Sequence, residues 1–194
     1  MPENPDPTSE QNPWTLLSHR QVYDNDWIGL VEHQVLNPAG KPGIYGVVHY
    51  KNLAIGIIPV QGMDTWLVGQ YRFPFGTYSW EIPAGGGARS ESPEASASRE
   101  LQEETGFKPA QLVLIQQMQL SNSVGDEVGL IYLATGLTKG PAQPTDEEQL
   151  QVQRVPLLEA IDRVYRGELT DSLTVAGLLK LDAMIARGTF TLPA

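Results

Sequence analysis

The sequence predicts an α+β fold: antiparallel strands first, a core sheet beginning near residue 52, one helix mid-chain and two more at the end. Three observations carry this. Residues 52–60 contain an almost unbroken apolar run, Leu53-Ala54-Ile55-Gly56-Ile57-Ile58-Pro59-Val60, as a strand covered on both faces requires. Residues 93–105 are framed by helix signals at both ends, and residues 157–187 carry apolar side chains at helical spacing.

Taken in order, residues 1–13 are rich in Pro, Asn, Glu and Ser and predict a mobile tail. Alternation and β-branched content predict strands over 16–23 and 27–36, a turn at Asn37-Pro38-Ala39-Gly40, and a third strand over 43–50. Three such strands are marginal alone and need something to pack on. Beyond 52–60, a Gln61-Gly62-Met63-Asp64 turn leads to a strand over 65–70, and the aromatic-rich segment 70–85 reads as strand, loop and strand. Strands over 112–120 and 128–134 flank the polar loop Ser121-Asn122-Ser123-Val124-Gly125-Asp126-Glu127. Residues 138–145 predict a surface loop, and 149–155 an edge strand protected by Pro156. Helices over 157–166 and 171–187 stop at Gly167 and Gly188. The expected organisation is a tail over 1–13, a β extension over 14–50 and a catalytic domain over 51–190.

With 194 residues the chain can bury one sizeable core. Its formal net charge of −10 disfavours nucleic acid and anionic membrane surfaces as partners. A small phosphorylated substrate fits, because bound cations neutralise it locally. The absence of cysteine excludes disulfides and thiol catalysis. The start, Met1-Pro2-Glu3-Asn4, has neither a basic nor an apolar leader region, and no apolar run approaches the roughly 20 residues that span a bilayer. A cytoplasmic location is expected.

The densest chemistry lies at 85–107. Ser92 is a plausible N-cap, Pro93 suits the first helical position, Glu94 complements the positive helix start, and Gly106 fits a left-handed residue just past the end. On that helix Glu100, Glu103 and Glu104 stand at i, i+3 and i+4 and project from one face within a turn. Like charges so placed cost about a few tenths of a kcal/mol per pair. A divalent cation reverses that sign, and oxygen-only ligands point to Mg2+ or Mn2+. By spacing alone, a solvated acidic face with Arg99 paired to Glu103 explains the same residues equally well. Arg72, a guanidinium near this acidic segment in sequence, suits bidentate recognition of phosphate or carboxylate.

The whole pattern is Gly85, five residues, Glu91, seven residues, then Arg99-Glu100-Leu101-Gln102-Glu103-Glu104-Thr105-Gly106-Phe107. It resembles the Nudix box at every specified position but the last, where aromatic Phe107 replaces an aliphatic residue. From Trp14 onward the chain is similar to the Nudix fold, a mixed β-sheet sandwiched between α-helices. Gln70-Tyr71-Arg72, Trp80-Glu81-Ile82-Pro83-Ala84-Gly85 and Gly167-Glu168-Leu169-Thr170-Asp171 resemble the ADP-ribose pyrophosphatase branch. The resemblance implies Mg2+ or Mn2+ held by Glu100, Glu103, Glu104 and the Ala84 carbonyl. It also implies a Glu91–Arg99 pair steadying that set, and Glu127 as a further metal ligand or general base, with a box glutamate such as Glu103 as the other candidate base. Arg72 and Glu81 would meet the substrate, and Trp27 would stack on its base. A homodimer joined through the N-terminal strands is implied as well. Similar hydrolases commonly carry a proline where Ser121-Asn122-Ser123 stands here, which widens the expected substrate from ADP-ribose to related nucleoside diphosphate sugars. The competing expectations are a non-hydrolytic nucleotide-binding module and an isoprenoid-diphosphate isomerase. The isomerase is set aside because its chemistry resembles a cysteine-assisted one.

Overall fold

A computed structural model describes residues 11–140 and 150–192. Most of the tail expected over 1–13, much of the loop expected over 138–145 and the start of the strand expected over 149–155 lie outside the described residues. The chain divides into two compact units: residues through Lys51 with the loop Ser121–Glu127, and Asn52–Leu120 with Val128 onward.

In the N-terminal unit, strands β1 (Thr15–Asp24), β2 (Ile28–Leu36) and β3 (Pro42–Tyr50) form an antiparallel sheet in that order. Asparagine side chains build both turns. Asn25 Oδ1 accepts from the Trp27 and Ile28 amides, and Asn37 Oδ1 from those of Ala39 and Lys41. Among the described residues, Val35 is the only buried apolar side chain of this sheet, whereas Leu16, Leu17, Val22 and Tyr23 of β1 are exposed. The expectation of a strand piece without a core of its own holds for this unit.

The large unit runs β4 (Asn52–Gln61), β5 (Asp64–Arg72), a 3-10 turn (Phe73–Phe75), β6 (Thr77–Glu81), β7 (Ala84–Ala88) and α1 (Pro93–Thr105). Then follow β8 (Phe107–Lys108), β9 (Gln111–Gln119), β10 (Val128–Thr135), β11 (Thr138–Lys139) and β12 (Gln151–Pro156). Helices α2 (Leu157–Tyr165) and α3 (Ser172–Ala186) complete it. The main sheet has the order β12-β5-β4-β10-β9, with β6 on β5 and β7 on β4. It is mixed, because β10 runs parallel to β4 while its other pairings are antiparallel.

Strand alternation distributes the core over two faces. Ile55 and Ile57 of β4 with Leu130 and Tyr132 of β10 pack on Ala97 and Leu101 of α1. Ile58, Val60, Ile131 and Leu133 pack on Leu157 and Ile161 of α2 and on Leu173, Leu178 and Leu181 of α3. The expected sheet between helices is thus realised. Each fully buried Ile or Leu contributes about 1.5–3 kcal/mol relative to exposure.

The helix ends differ from expectation only at their caps. Asp171 caps α3 by accepting from the Thr174 amide and hydroxyl, and Arg187 and Arg166 stand just past the ends of α3 and α2. Pro156 is the last residue of edge strand β12 rather than the residue after it. Strand β7 falls mostly beyond the strand, loop and strand that the sequence predicts over 70–85. Its sequence, Ala-Gly-Gly-Gly-Ala, has little strand propensity, and its antiparallel pairing with β4 supplies what propensity lacks.

Thr65 is fully buried in β5, and among the described residues its hydroxyl has no hydrogen-bond partner. A desolvated, unpaired hydroxyl costs about 1–3 kcal/mol. Thr65→Val, which keeps the shape, is expected to raise the stability by about 1 kcal/mol in denaturant melts, within that range.

Candidate active site

Helix α1 forms where its caps dictate. Ser92 Oγ accepts from the Ala95 amide at 3.2 Å, Pro93 opens the helix, and Gly106 closes it with φ 76°. The exit at Gly106 leads directly into Phe107, the one residue that departs from the sequence pattern. Phe107 is buried against Trp66, with ring centroids 4.5 Å apart, and under Lys139 Nζ at 4.4 Å. An aromatic ring there fills the core and leaves the acidic face of the helix unchanged.

That face is pressed onto β7. Glu104 is almost fully buried, and its Oε2 accepts from the Ala84 amide at 3.0 Å. Glu100 lies directly over Gly85, where a Cβ would fall 2.2 Å from the carboxyl group. Arg99 threads between the acids. Its Nη1 donates to Glu100 Oε1 and to Glu103 Oε2, each at 2.9 Å, and its Nη2 to the Gly86 carbonyl at 3.1 Å. Burial opposes the charge on Arg99, yet Glu100 and Glu103 outweigh it and hold the guanidinium above its ordinary range. Glu91 lies 3.6 Å from Arg99 Nη2 and accepts from Ser96 Oγ at 2.7 Å. Ala84, Glu91, Arg99, Glu100, Glu103 and Glu104 therefore share one cluster.

The donor set of this cluster suits a hard cation: three carboxylates on one turn beside a strand with no side chain at Gly85. Among the described residues no three acidic or histidine side chains already close into a metal cage. Arg99, itself a cation, bridges Glu100 and Glu103, the arrangement that the electrostatics of the turn demand.

Arg72 and Glu81 form a second group, close enough to the acidic turn that, after the Glu81 bond itself, the charge of Glu104 helps to raise the Arg72 pKa. Arg72 at the end of β5 and Glu81 at the end of β6 form a bidentate pair, Nε to Oε1 at 2.9 Å and Nη2 to Oε2 at 2.5 Å. The Glu81 bond is the main cause that raises the Arg72 pKa, so the guanidinium is firmly charged. The pair lines a cavity of about 400 Å3 with Phe75, Thr77, Ser79 and Asp171. Trp27 and Glu127 belong to the N-terminal unit, where Trp27 is 65% exposed. Glu127 is half-buried, and burial pushes its carboxyl above the usual carboxylate range.

Three contributors escaped the sequence reading. Ser96 orients Glu91, the Gly86 carbonyl takes one Arg99 bond, and Thr174 Oγ1 accepts from the Ile82 amide at 2.9 Å, tying the start of α3 to the segment before β7. Only the last left a trace, since Asp171-x-x-Thr174 has capping spacing.

The NUDIX domain profile matches residues 50–173, and the profile of the nucleoside diphosphate sugar hydrolase N-terminal domain matches residues 14–48. The chain is 30% identical to an ADP-ribose pyrophosphatase of Mycobacterium tuberculosis over 178 residues, covering 90% of this chain and 86% of that protein. It is 28% identical to the CMP-5'-(N-acetyl-N-hydroxy-3-aminopropyl)phosphonate hydrolase of Streptomyces rubellomurinus, covering 86% and 81%. Among solved structures, one described as an ADP compounds hydrolase superposes with a TM-score of 0.83 at 19% identity, covering 93% of this chain and 98% of that one. At that identity the likeness establishes the fold.

Proposed function

Because this chain belongs to the Nudix domain family, we propose that it is a divalent-metal-dependent pyrophosphohydrolase of nucleoside diphosphate sugars. It cleaves the diphosphate of ADP-ribose or a related substrate into a nucleoside monophosphate and a sugar phosphate. The observation that carries this reading is the carboxylate turn of α1 packed on the glycines of β7 and laced by Arg99. The pyrophosphatase of M. tuberculosis supports the substrate class. The similarly related hydrolase of a CMP-linked phosphonate is the reason the substrate panel varies both the nucleoside and the group joined to it.

In this proposal Glu100, Glu103 and Glu104, with the Ala84 carbonyl, hold Mg2+ or Mn2+. The metal, when bound, polarises phosphoryl oxygens and lowers the pKa of a coordinated water. Arg99 and Glu91 keep the carboxylates aimed, and their removal would let the acids splay. Glu127 serves as a further metal ligand or as the general base that takes the proton from the attacking water. Glu103 is the other candidate for that proton. Arg72 has five N–H donors, two of them committed to Glu81, so three remain for the diphosphate. Glu81 acts on the substrate through Arg72, and Trp27 offers an exposed ring for the base.

The proposed organisation follows the same lines: residues 14–50 as a dimerisation extension and 51–190 as the hydrolase domain. The exposed Leu16, Leu17, Val22 and Tyr23 of β1 support a homodimer formed through the N-terminal sheet.

Product analysis tests the function. With Mg2+ and a panel of ADP-ribose, ADP-glucose, GDP-mannose, UDP-glucose, dinucleoside polyphosphates and NADH, a nucleoside monophosphate and a sugar phosphate are expected in equal amounts from at least one nucleoside diphosphate sugar. Saturable binding of those compounds with no cleavage would favour the non-hydrolytic module instead.

A further inference from the structure

The loop Ser121–Glu127 is folded onto β3 and belongs with it to one compact unit. Val48 donates to the Val124 carbonyl at 2.8 Å and accepts from the Asp126 amide at 3.1 Å, while the Tyr45 hydroxyl donates to the Ser123 carbonyl at 2.6 Å. Asp126 then spends both carboxylate oxygens on the strand. Oδ1 accepts from the Tyr50 amide at 2.9 Å, and Oδ2 from His49 Nδ1 at 2.7 Å. Gly125 permits this approach, since a Cβ there would meet the Tyr50 ring at 3.0 Å and the Val48 carbonyl at 3.3 Å. A carboxylate only accepts, so Nδ1 carries the hydrogen whether the imidazole is neutral or charged. The same nitrogen therefore donates in either state.

Two acids stand side by side in this loop, and the strand hydrogen-bonds the side chain of only one. Among the described residues, none donates a hydrogen bond to Glu127, while Asp126 is held at both oxygens. We propose that His49 and Asp126 are positioning residues for the reaction, a clamp that docks the loop on β3 and so fixes where the Glu127 carboxyl can reach. This rests on the role proposed for Glu127. The N-terminal sheet thereby acquires a catalytic duty in addition to any dimer contact. An exposed ion pair contributes little to global stability. Placement is a different matter, because an error of about 1 Å in a catalytic group can cost on the order of a hundredfold.

The test compares wild type with His49→Ala, His49→Asn, Glu127→Gln and the double variant His49→Ala/Glu127→Gln. It uses the substrate that the panel identifies, with kcat and KM measured separately. His49→Ala is expected to lower kcat about tenfold, inside the range that misplacement spans, with KM and the melting temperature nearly unchanged. His49→Asn, whose side-chain amide nitrogen takes the place of Nδ1, is expected to recover most of that loss. His49→Ala is expected to change nothing further once Glu127 is glutamine. Wild-type kcat in His49→Ala, no recovery in His49→Asn, or an equal additional loss in the double variant would each overturn the clamp while leaving Glu127 in place. An undiminished kcat in Glu127→Gln would overturn the role of Glu127 and the clamp with it. Hydrogen exchange at the Asp126 amide reads the docking without turnover: faster exchange in His49→Ala is expected, and unchanged protection would refute the clamp.

Discussion

Glu104→Gln is expected to lower turnover at least about a hundredfold, the range for losing one key electrostatic group, and to leave the fold intact. The two halves of that expectation have separate causes. Glu104 is 3% exposed, and its structural duty is to accept the Ala84 amide. Glutamine keeps an oxygen at the same length and meets that duty, so no buried amide is orphaned. What glutamine cannot supply is the negative charge that offsets a divalent cation. Steady-state kinetics with a melting curve on the same preparation check both halves. A variant of near-normal activity would mean that Glu104 is a structural acid alone.

Gly85→Ala is expected to cost about ten- to a hundredfold in kcat, the scale of a misplaced catalytic group, with a small change in melting temperature. The backbone at Gly85 does not have positive φ, so alanine is conformationally acceptable. The new Cβ would lie 2.2 Å from the Glu100 carboxyl group, the far end of a flexible side chain. Glu100 therefore swings away at little cost to folding and leaves the position where it faces Glu103 and Glu104. A large destabilisation with unaltered specific activity would show that Gly85 serves packing and not the acidic turn.

The legible parts of this protein are those whose signals are local. Ser92, Pro93 and Gly106 mark α1 within a residue, and the apolar run of β4 announces a strand buried on both faces, as Ile55, Ile57, Ile58 and Val60 are. The pairing of Arg99 with Glu103 is read directly from i, i+4 spacing. Its bond to the adjacent Glu100 is not, because helical spacing points neighbouring side chains apart, and its bond to the Gly86 carbonyl is not, because β7 is a glycine strand whose pairing with β4 no propensity encodes. The home of the Glu127 loop was hidden for a related reason. His49 and Asp126 are 77 residues apart, and neither the alternation of β3 nor the turn chemistry of 121–127 states that the two segments meet. Trp27 was legible as an aromatic, whereas its exposure follows from the Asn25 turn, whose side chain takes the Trp27 amide and sets the indole on the surface.

Everything proposed for the reaction depends on the acidic turn of α1 taking up a hard cation. The direct measurement is a Mn2+ titration, followed by calorimetry or electron paramagnetic resonance, of wild type against a variant with Glu100, Glu103 and Glu104 all changed to glutamine. It is performed with and without a nucleoside diphosphate sugar. Saturable uptake by wild type, tightened by the nucleotide sugar and abolished in the variant, is the predicted result. Uptake that is absent from wild type, or equal in the two proteins, would contradict it.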